Sequence, residues 1–265
     1  MFTSLAFKIQ DLAVRPYVAT ALHSLQSTND PAAQKLADVI RKTFHGQPDQ
    51  REYRHIEAIE TIRRELNESN ERITIVDYGA KADSVHGSVV HKSVGDVALS
   101  SSKPYRWSLL LLHMIRSFAP ERCLEFGTCL GISTLYQAAA LTINRSGTIV
   151  TMEGAESLAA IAQKNFSLLG YENIVSRIGK FDDILPGIVR DNGPFDYVFI
   201  DGHHEEQATV NYFTSLVPFL KNGAVILFDD IHWSSGMKRA WRTITQHTIV
   251  NHFVDLYQIG IIITQ

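Results

Sequence analysis

Between residues 122 and 264, short apolar runs alternate with amphipathic segments, and this alternation restricts the fold more than any other feature. The five runs that precede the C-terminal region cover 122–126, 148–152, 174–178, 197–200 and 224–228. They are apolar at consecutive positions rather than at every second one, so both faces of each strand must be buried. Amphipathic segments at 133–141, 155–168, 184–189 and 205–220 are predicted to be the helices between them. The pattern predicts an α/β fold with a parallel sheet covered on both faces.

The chain ends with two further β-rich runs, at 253–256 and 260–264, after a predicted helix at 236–246. Only residues 257–259 separate the two runs, which suits a tight reversal between antiparallel strands. The sequence therefore predicts a mostly parallel seven-stranded sheet that finishes in an antiparallel hairpin.

The first 95 residues have a different texture. Helical spacing at 32–44 and 50–68 is followed by a β-rich run at 73–78 and a polar stretch at 83–95, which contains His86 and His91. We interpret 1–95 as a helical cap with a short strand pair that does not fold independently, and 96–265 as the ligand-binding domain. The stretch at 83–95 is predicted to be a loop, and its glycines and serines would allow it to act as a lid.

Composition narrows the class of partner. The formal net charge is −3 and no long run of one sign occurs, which disfavours a nucleic-acid surface. No stretch reaches the length of a membrane helix, and the N-terminus lacks the apolar middle of a signal peptide. Cys123 and Cys129 are poorly spaced for a bridge, so reduced thiols in a cytoplasmic protein are expected. A small molecule is the favoured partner.

A glycine loop follows the first strand of the domain. Glu125, Gly127 and Gly131 form the pattern Glu-x-Gly-x-x-x-Gly, which differs from the Gly-x-Gly-x-x-Gly pattern of dinucleotide sites. A carboxylate at this place suits a ligand with an ammonium group and would repel a pyrophosphate. The alternative is a purely structural turn between strand and helix.

Two further strand ends carry candidate ligand contacts. Glu153 ends the second strand, where a carboxylate can accept hydrogen bonds from ribose hydroxyls. After the third strand, Phe181 could stack on a base and Asp182 could accept its exocyclic amine. In the alternative interpretation Asp182 or Asp183 caps a helix that begins at Ile184.

Three aspartates end the fourth and fifth strands. Asp201 follows the fourth strand, and Asp229 and Asp230 follow the fifth, so they should converge at one edge of the sheet. Carboxylates this close repel one another unless protons or a hard cation neutralise them, and Mg²⁺ prefers oxygen ligands. The alternative is that one aspartate holds substrate, another caps a helix, and no metal binds.

Three histidines lie near the same edge (His203, His204 and His232), and a neutral imidazole there could accept a substrate proton.

Across 94–265 these motifs resemble class I S-adenosylmethionine-dependent methyltransferases, and among them the cation-dependent O-methyltransferases of the catechol and sugar-modifying types. The resemblance implies a Rossmann-like methyltransferase fold and S-adenosylmethionine as cofactor. It places the cofactor contacts at Glu125, Gly127, Thr128, Gly131, Ser133, Glu153, Phe181, Asp182 and Asp201. It places Mg²⁺, or another divalent cation, on Asp201, Asp229 and Asp230. Members of this family often form homodimers, so a homodimer is expected.

One position departs from the catechol type. There a lysine three residues after the strand-four aspartate acts as base, whereas this sequence has His204. The departure keeps a base and argues against a catechol substrate. The prediction is metal-assisted methylation of a hydroxyl on a small molecule, with His204 and Asp201 as catalytic residues. The alternatives are a metal-independent N- or carboxyl-methyltransferase, a non-catalytic binding module and, least favoured by the glycine spacing, a nicotinamide-dependent oxidoreductase.

Overall fold

A computed structural model describes residues 5–79 and 87–265. The strands are β1 (Arg72–Asp77), β2 (Ser88–Ser93), β3 (Arg122–Phe126), β4 (Thr148–Glu153), β5 (Ile174–Ile178), β6 (Phe195–Ile200), β7 (Leu220–Phe228), β8 (Val250–Asp255) and β9 (Gly260–Thr264). The helices are α1 (Leu5–Gln26), α2 (Pro31–His45), α3 (Gln50–Glu68), α4 (Val94–Ser101), α5 (Tyr105–Phe118), α6 (Ile132–Asn144), α7 (Glu156–Leu169), α8 (Phe181–Asn192), α9 (Glu206–Leu216) and α10 (Ser235–Thr245). Within the described residues, no helix combines the length and the apolar character needed to cross a membrane.

The central sheet has seven strands in the order β5-β4-β3-β6-β7-β9-β8. Strands β3 to β7 run parallel, and β9 lies antiparallel to both β7 and β8. The predicted Rossmann-like sheet with its antiparallel C-terminal hairpin is confirmed. Because the strand order reverses beside β3, the carboxyl ends of β3 and β6 open a crevice where ligands bind in folds of this type.

The apolar strands are explained by two cores, one on each face of the sheet. Cys123 and Phe199 enter the core beneath α5, α6 and α7, whereas Leu124 and Val198 enter the core beneath α8, α9 and α10. Neighbouring residues of a strand point to opposite faces, so the inner strands are buried on both sides, whereas β5 at the edge of the sheet is only partly covered. This arrangement fixes the sheet firmly and leaves only its edges and loops for polar chemistry.

The N-terminal helices join the first of these cores. Leu36 and Ile59 are fully buried in it, and α2 packs against α5 while α3 packs against α6. Asp30 caps α2, and Asp49 forms a capping box with Glu52 at the start of α3. The β1–β2 hairpin lies over α7, where the Ser157 hydroxyl donates to the Thr74 carbonyl at 2.8 Å.

The predicted loop at 83–95 is wrong for the part that the structure describes. Residues Ser88–Ser93 form β2, which pairs with β1, and α4 begins at Val94. Strand pairing overrides the polar composition of this stretch, since only one face of the hairpin packs on α7. His91 stands opposite Thr74 in the hairpin, and His86 lies outside the described residues. The division predicted at 95–96 falls within α4.

Several element boundaries also differ from the prediction. Helix α9 ends at Leu216 because Pro218 lies in a 3₁₀ turn and Leu220 already pairs with Phe195 in β7. Helix α8 begins at Phe181 rather than Ile184, and β8 begins at Val250 rather than Phe253. The earlier start of α8 moves two predicted ligand contacts onto the first turn of a helix.

Candidate active site

A cavity of about 1060 Å³ opens at the carboxyl ends of the parallel strands. Its walls come from the loops after β3, β4, β5, β6 and β7, as the topology predicts. The other side is closed by residues 75–79 of the predicted cap and by residues 99–104, 106 and 107, which run from the end of α4 into α5. The cavity is large enough for a nucleoside cofactor and a small acceptor together.

The conformation and close packing of the glycine loop require glycine at positions 127 and 131. Gly127 has φ +91°, and a Cβ there would lie 2.0 Å from the Asp201 carbonyl oxygen. Gly131 has φ +87° at the start of α6, where a Cβ would meet the Phe166 ring at 2.6 Å. The backbone N–H groups of Gly127 and Thr128 both donate to the Met152 carbonyl at 3.0 Å. The loop is therefore held tightly between β4 and β6, with Thr128 and Ser133 on the cavity wall.

Glu125 lies behind this loop rather than on the cavity wall. The side chain is fully buried, and it accepts hydrogen bonds from Thr134, from Gln137 at 2.6 Å and from Thr151 at 2.7 Å. Burial raises its pKa, although these hydrogen bonds lower it. This placement differs from the expected direct contact, because β3 turns Glu125 toward α6. Its role here is to fasten the base of the loop.

Glu153 faces the cavity from the end of β4. Its Oε2 accepts from the Cys129 N–H at 2.7 Å and its Oε1 from the Ala155 N–H at 2.9 Å. Burial raises the pKa of Glu153, and these backbone bonds act in the opposite direction. Each carboxylate oxygen has a second lone pair, so the oriented group can still accept from a vicinal diol.

Phe181 and Asp182 line the cavity from the first turn of α8. The Phe181 ring lies edge-on to Phe126 with centroids 5.4 Å apart, and a Cβ on Gly202 would meet that ring at 2.7 Å. Asp182 does not cap the helix, because α8 begins after Lys180 and has no side-chain cap. The interpretation of Asp182 as a helix cap is therefore wrong, and its contact with a ligand stays a prediction.

The cap contributes an aromatic side chain that sequence reasoning missed. A Cβ on Gly154 would meet the Tyr78 ring at 2.9 Å, and Lys180 Nζ lies 4.9 Å from the centroid of that ring. Tyr78 thus covers the end of the cavity between the loops after β4 and β5. Its position at the end of a β-rich run carried no signal for this role.

The structure brings Asp201, His204 and Asp229 together. Each offers one ligand atom, and these atoms lie within 4.8 Å of one another. His204 lies between two carboxylates, with Nε2 3.7 Å from Asp201 Oδ1 and Nδ1 3.9 Å from Asp230 Oδ2. Asp230 lines the same cavity but stands outside the closest group. Its φ of +52° and the φ of +43° at His204 are strained conformations of the kind that cluster at functional sites.

Lys103 lies in the same acidic centre, and the sequence analysis did not predict it there. Its Nζ donates a hydrogen bond to Asp229 Oδ2 and lies 3.0 Å from Asp201 Oδ2, and the residue is only 6% exposed. Burial lowers the pKa of Lys103, but Asp201 and Asp229 outweigh burial and raise it. A lone lysine before a proline gives no local signal. The signal in the sequence was the set of three aspartates predicted to converge, because carboxylates so close together require a neutralising cation.

Asp229 keeps one oxygen unpaired. Its Oδ1 has no hydrogen-bond partner among residues 5–79 and 87–265, although Asp229 is only 3% exposed. Burial raises its pKa, as does the charge of Asp201, while Lys103 lowers it. A buried acceptor of this kind calls for a ligand with a donor or a positive charge.

The other two histidines have partners elsewhere. His203 Nδ1 lies 2.8 Å from the Tyr212 hydroxyl, and His232 Nε2 lies 2.7 Å from Asp255 Oδ2. Of the three histidines considered from the sequence, His204 is the one placed between the aspartates.

Comparison with known proteins agrees with this geometry. Residues 124–231 match a family model described as a methyltransferase domain. The catechol O-methyltransferase of Niastella koreensis is 38% identical over 113 residues, which cover 42% of this chain and 49% of the relative. That of Mycobacterium tuberculosis is 33% identical over 118 residues, covering 44% and 51%. The matches span about half the length of these relatives.

Solved structures share the fold over most of the chain. An O-methyltransferase from Bacillus cereus in complex with SAH has a TM-score of 0.58 at 19% identity and covers 85% of this chain and 95% of that one. The O-methyltransferase TomG from Streptomyces achromogenes in complex with SAM has a TM-score of 0.55 at 20% identity, with 86% and 95% covered. Residues 124–231 are therefore similar to a methyltransferase domain, and most of the chain shares the Rossmann-like fold of these solved structures. Among the relatives, the chain is similar to catechol O-methyltransferases.

Proposed function

We propose that this protein transfers a methyl group from S-adenosylmethionine to a hydroxyl oxygen of a small molecule. One observation carries the proposal: the cofactor wall and an acid–base centre share a single cavity. Glu153, the glycine loop, Asp201 and His204 all line it. The similarity to O-methyltransferases supports oxygen as the acceptor atom.

The residues present fit this cofactor. When bound, S-adenosylmethionine supplies an electrophilic methyl group and leaves as S-adenosylhomocysteine. Glu153, held by two backbone N–H groups, would accept from the ribose hydroxyls, and Phe181 with Asp182 would face the adenine. Asp201 offers a carboxylate to the ammonium of the methionine part. Glycine at position 127 lets the loop pack against the backbone carbonyl of Asp201.

His204 is the group placed to take the hydroxyl proton. It is partly exposed to the cavity, and Asp201 and Asp230 flank its two ring nitrogens. The bound cofactor would supply the methyl group for the new C–O bond and retain the electron pair of the broken C–S bond, while His204 would take the hydroxyl proton. The flanking carboxylates orient the ring and stabilise the imidazolium that results.

The residues at the predicted Mg²⁺ site include features that favour a bound ion and features that oppose one. Asp201, His204 and Asp229 can offer ligand atoms, and Asp229 Oδ1 is unpaired, which favours an ion. Yet Lys103 already contacts Oδ2 of both Asp201 and Asp229, and Asp230 stands outside the group. The residues as arranged do not fit the ion on the three predicted ligands, so no step above uses a metal.

The test begins with calorimetric titration of S-adenosylhomocysteine into wild type, Glu153→Ala and Glu156→Ala. Glu156 is an exposed neighbour that serves as matched control. We expect binding in wild type and control, and at least a tenfold weaker affinity in Glu153→Ala, since about 1.4 kcal/mol corresponds to tenfold. Failure of the wild type to bind would overturn the proposal.

Acceptor chemistry is tested with methyl-labelled cofactor and matched panels of hydroxyl, amine and carboxylate compounds. Label on hydroxyl compounds supports the proposal, whereas label confined to amines or carboxylates supports the N- or carboxyl-methyltransferase alternative. Homodimer formation and a cytoplasmic location stay predictions, and light scattering on the purified protein tests the first.

A further inference from the structure

We propose that Lys103 is the resident cation of the acidic centre, at the place where the family resemblance predicts a divalent metal ion, and that it replaces that ion in methyl transfer. The inference rests on the proposed function for its chemistry. Its structural basis is independent: a lysine that is only 6% exposed lies between the carboxylates of Asp201 and Asp229.

Lys103 is held in place both at its ammonium group and at its backbone. Its Nζ contacts Asp229 Oδ2 and Asp201 Oδ2, and it lies 5.9 Å from the centroid of the Phe199 ring. The Lys103 carbonyl accepts hydrogen bonds from Arg63 Nη1 at 2.8 Å and from Ser108 Oγ at 3.1 Å. Because the backbone is fastened to α3 and α5, the side chain cannot leave the centre without disturbing both helices.

A divalent ion would need the same oxygens. An ion bound to Asp201 and Asp229 would stand within a few ångströms of a buried positive charge, and Coulomb repulsion between them is strong where water is excluded. The charge balance also does not require an ion. The carboxylates of Asp201 and Asp229 already pair with one resident positive charge, and Asp230 Oδ2 lies 3.9 Å from His204 Nδ1.

Lys103 can also act on the acceptor. An ammonium has three N–H groups, and two of them suffice for the two aspartates. Lys103 lines the cavity, so its third N–H is available to an acceptor oxygen. As the hydroxyl proton leaves, negative charge develops on that oxygen, and a fixed positive donor stabilises the charge without reorganisation. The ammonium stays protonated throughout, so the role needs no titration of Lys103.

The decisive experiment is calorimetric titration of MgCl₂, and separately MnCl₂, into protein saturated with S-adenosylhomocysteine. We expect no saturable binding to wild type up to about 1 mM, the weak end of functional protein sites for divalent ions. Lys103→Met should gain saturable binding, because it leaves three carboxylates without their cation. Lys221→Met is the matched control. It removes a lysine that pairs with Asp196 at the opposite edge of the sheet, and it should bind no metal.

Activity gives a second readout, measured with a hydroxyl compound that accepts the label in the panel assay proposed above. Wild type should keep its rate in excess chelator, and Lys103→Met without metal should lose about 100-fold in kcat, as removal of one charge-stabilising donor does. The KM for the cofactor should change less than about twofold if the loss is confined to the transition state. Lys103→Arg should recover part of the rate, and Lys221→Met should match wild type.

Saturable metal binding by wild type, or loss of its activity in chelator, would overturn the proposal. Full activity of a folded Lys103→Met variant would overturn the proposal that Lys103 stabilises negative charge on the acceptor oxygen. If Lys103→Met does not fold, Lys103→Met/Asp229→Asn removes both charges of the pair, and the wild-type titration decides the metal question. A wild type that fails to bind S-adenosylhomocysteine would instead break the proposed function, so the two failures are distinguishable.

Discussion

Two buried carboxylates, Glu52 in the N-terminal cap and Asp229 in the active site, have opposite surroundings. Glu52 is fully buried, and Oε1 accepts from Lys42 at 2.6 Å while Oε2 accepts from the Asp49 N–H at 2.8 Å. Arg116 and His113 lie within 3.6 Å of the same carboxylate. Asp229 has a single cation, Lys103, which it shares with Asp201, and its second oxygen is unpaired among the described residues.

The pKa values diverge accordingly. Burial raises the pKa of Glu52, but the adjacent His113 ring and the hydrogen bond from Lys42 outweigh it and lower the pKa to about 2. Burial and the neighbouring Asp201 raise the pKa of Asp229. A structural carboxylate is thus fully satisfied by its own chain, whereas a functional one retains capacity that only a ligand can use.

The largest effect is expected from Asp229→Asn. The shape is kept but the charge at the unpaired oxygen is lost, so kcat should fall about 100- to 1000-fold. Stability should change little, because Asp201 still pairs with Lys103. Initial rates and urea unfolding of the same preparation measure both. A variant that retains its rate would mean that the unpaired oxygen has no role in the reaction.

Glu52→Gln should give the opposite result. It leaves Lys42 and Arg116 without their buried partner, so the free energy of unfolding should fall by about 2–3 kcal/mol, somewhat less than for a fully buried pair because Lys42 is partly exposed. The rate per folded molecule should not change. The exposed Glu57→Gln, on the same helix, is the control for urea unfolding. Equal stability of the two variants would remove the contrast.

The same contrast predicts a pH dependence. The pKa of Glu52 is lower in the folded protein than the unfolded value of about 4.3, so its contribution is complete above about pH 5 and declines as the pH falls toward 2. The difference in unfolding free energy between wild type and Glu52→Gln should therefore shrink between pH 6 and pH 3. A constant difference over that range would show that Glu52 is not held ionised by its cations.

The smallest effect tests whether the cap also serves the site. Tyr78→Ala removes the ring beneath Lys180, and S-adenosylhomocysteine should bind about fivefold more weakly, in line with about 1 kcal/mol for an aromatic contact of this type. Calorimetry beside Tyr53→Ala, an exposed tyrosine of the cap, measures it. Equal affinities would confine the cap to a structural role.

Much of the architecture followed from local rules. Apolar runs such as 122–126 predict buried parallel strands, because a strand covered on both faces has no polar side. Gly127 and Gly131 mark a turn that other residues could adopt only with strain. Asp201 and Asp229 were predicted to converge because parallel strands end at one edge of the sheet. Segments with mixed composition were the ones misjudged, such as 88–93, where pairing with β1 decides the strand.

By itself, then, the sequence determined the sheet, the glycine loop and the edge at which the acidic groups meet. Only the tertiary structure decided what meets them there. Lys103 lies 126 residues before Asp229 in the chain, and no periodicity links two positions so far apart. The orientation of Glu125 toward α6 likewise depends on which face of β3 that helix covers. Side-chain partners are set by the packing of distant elements, whereas strands, turns and their order are set by neighbouring residues.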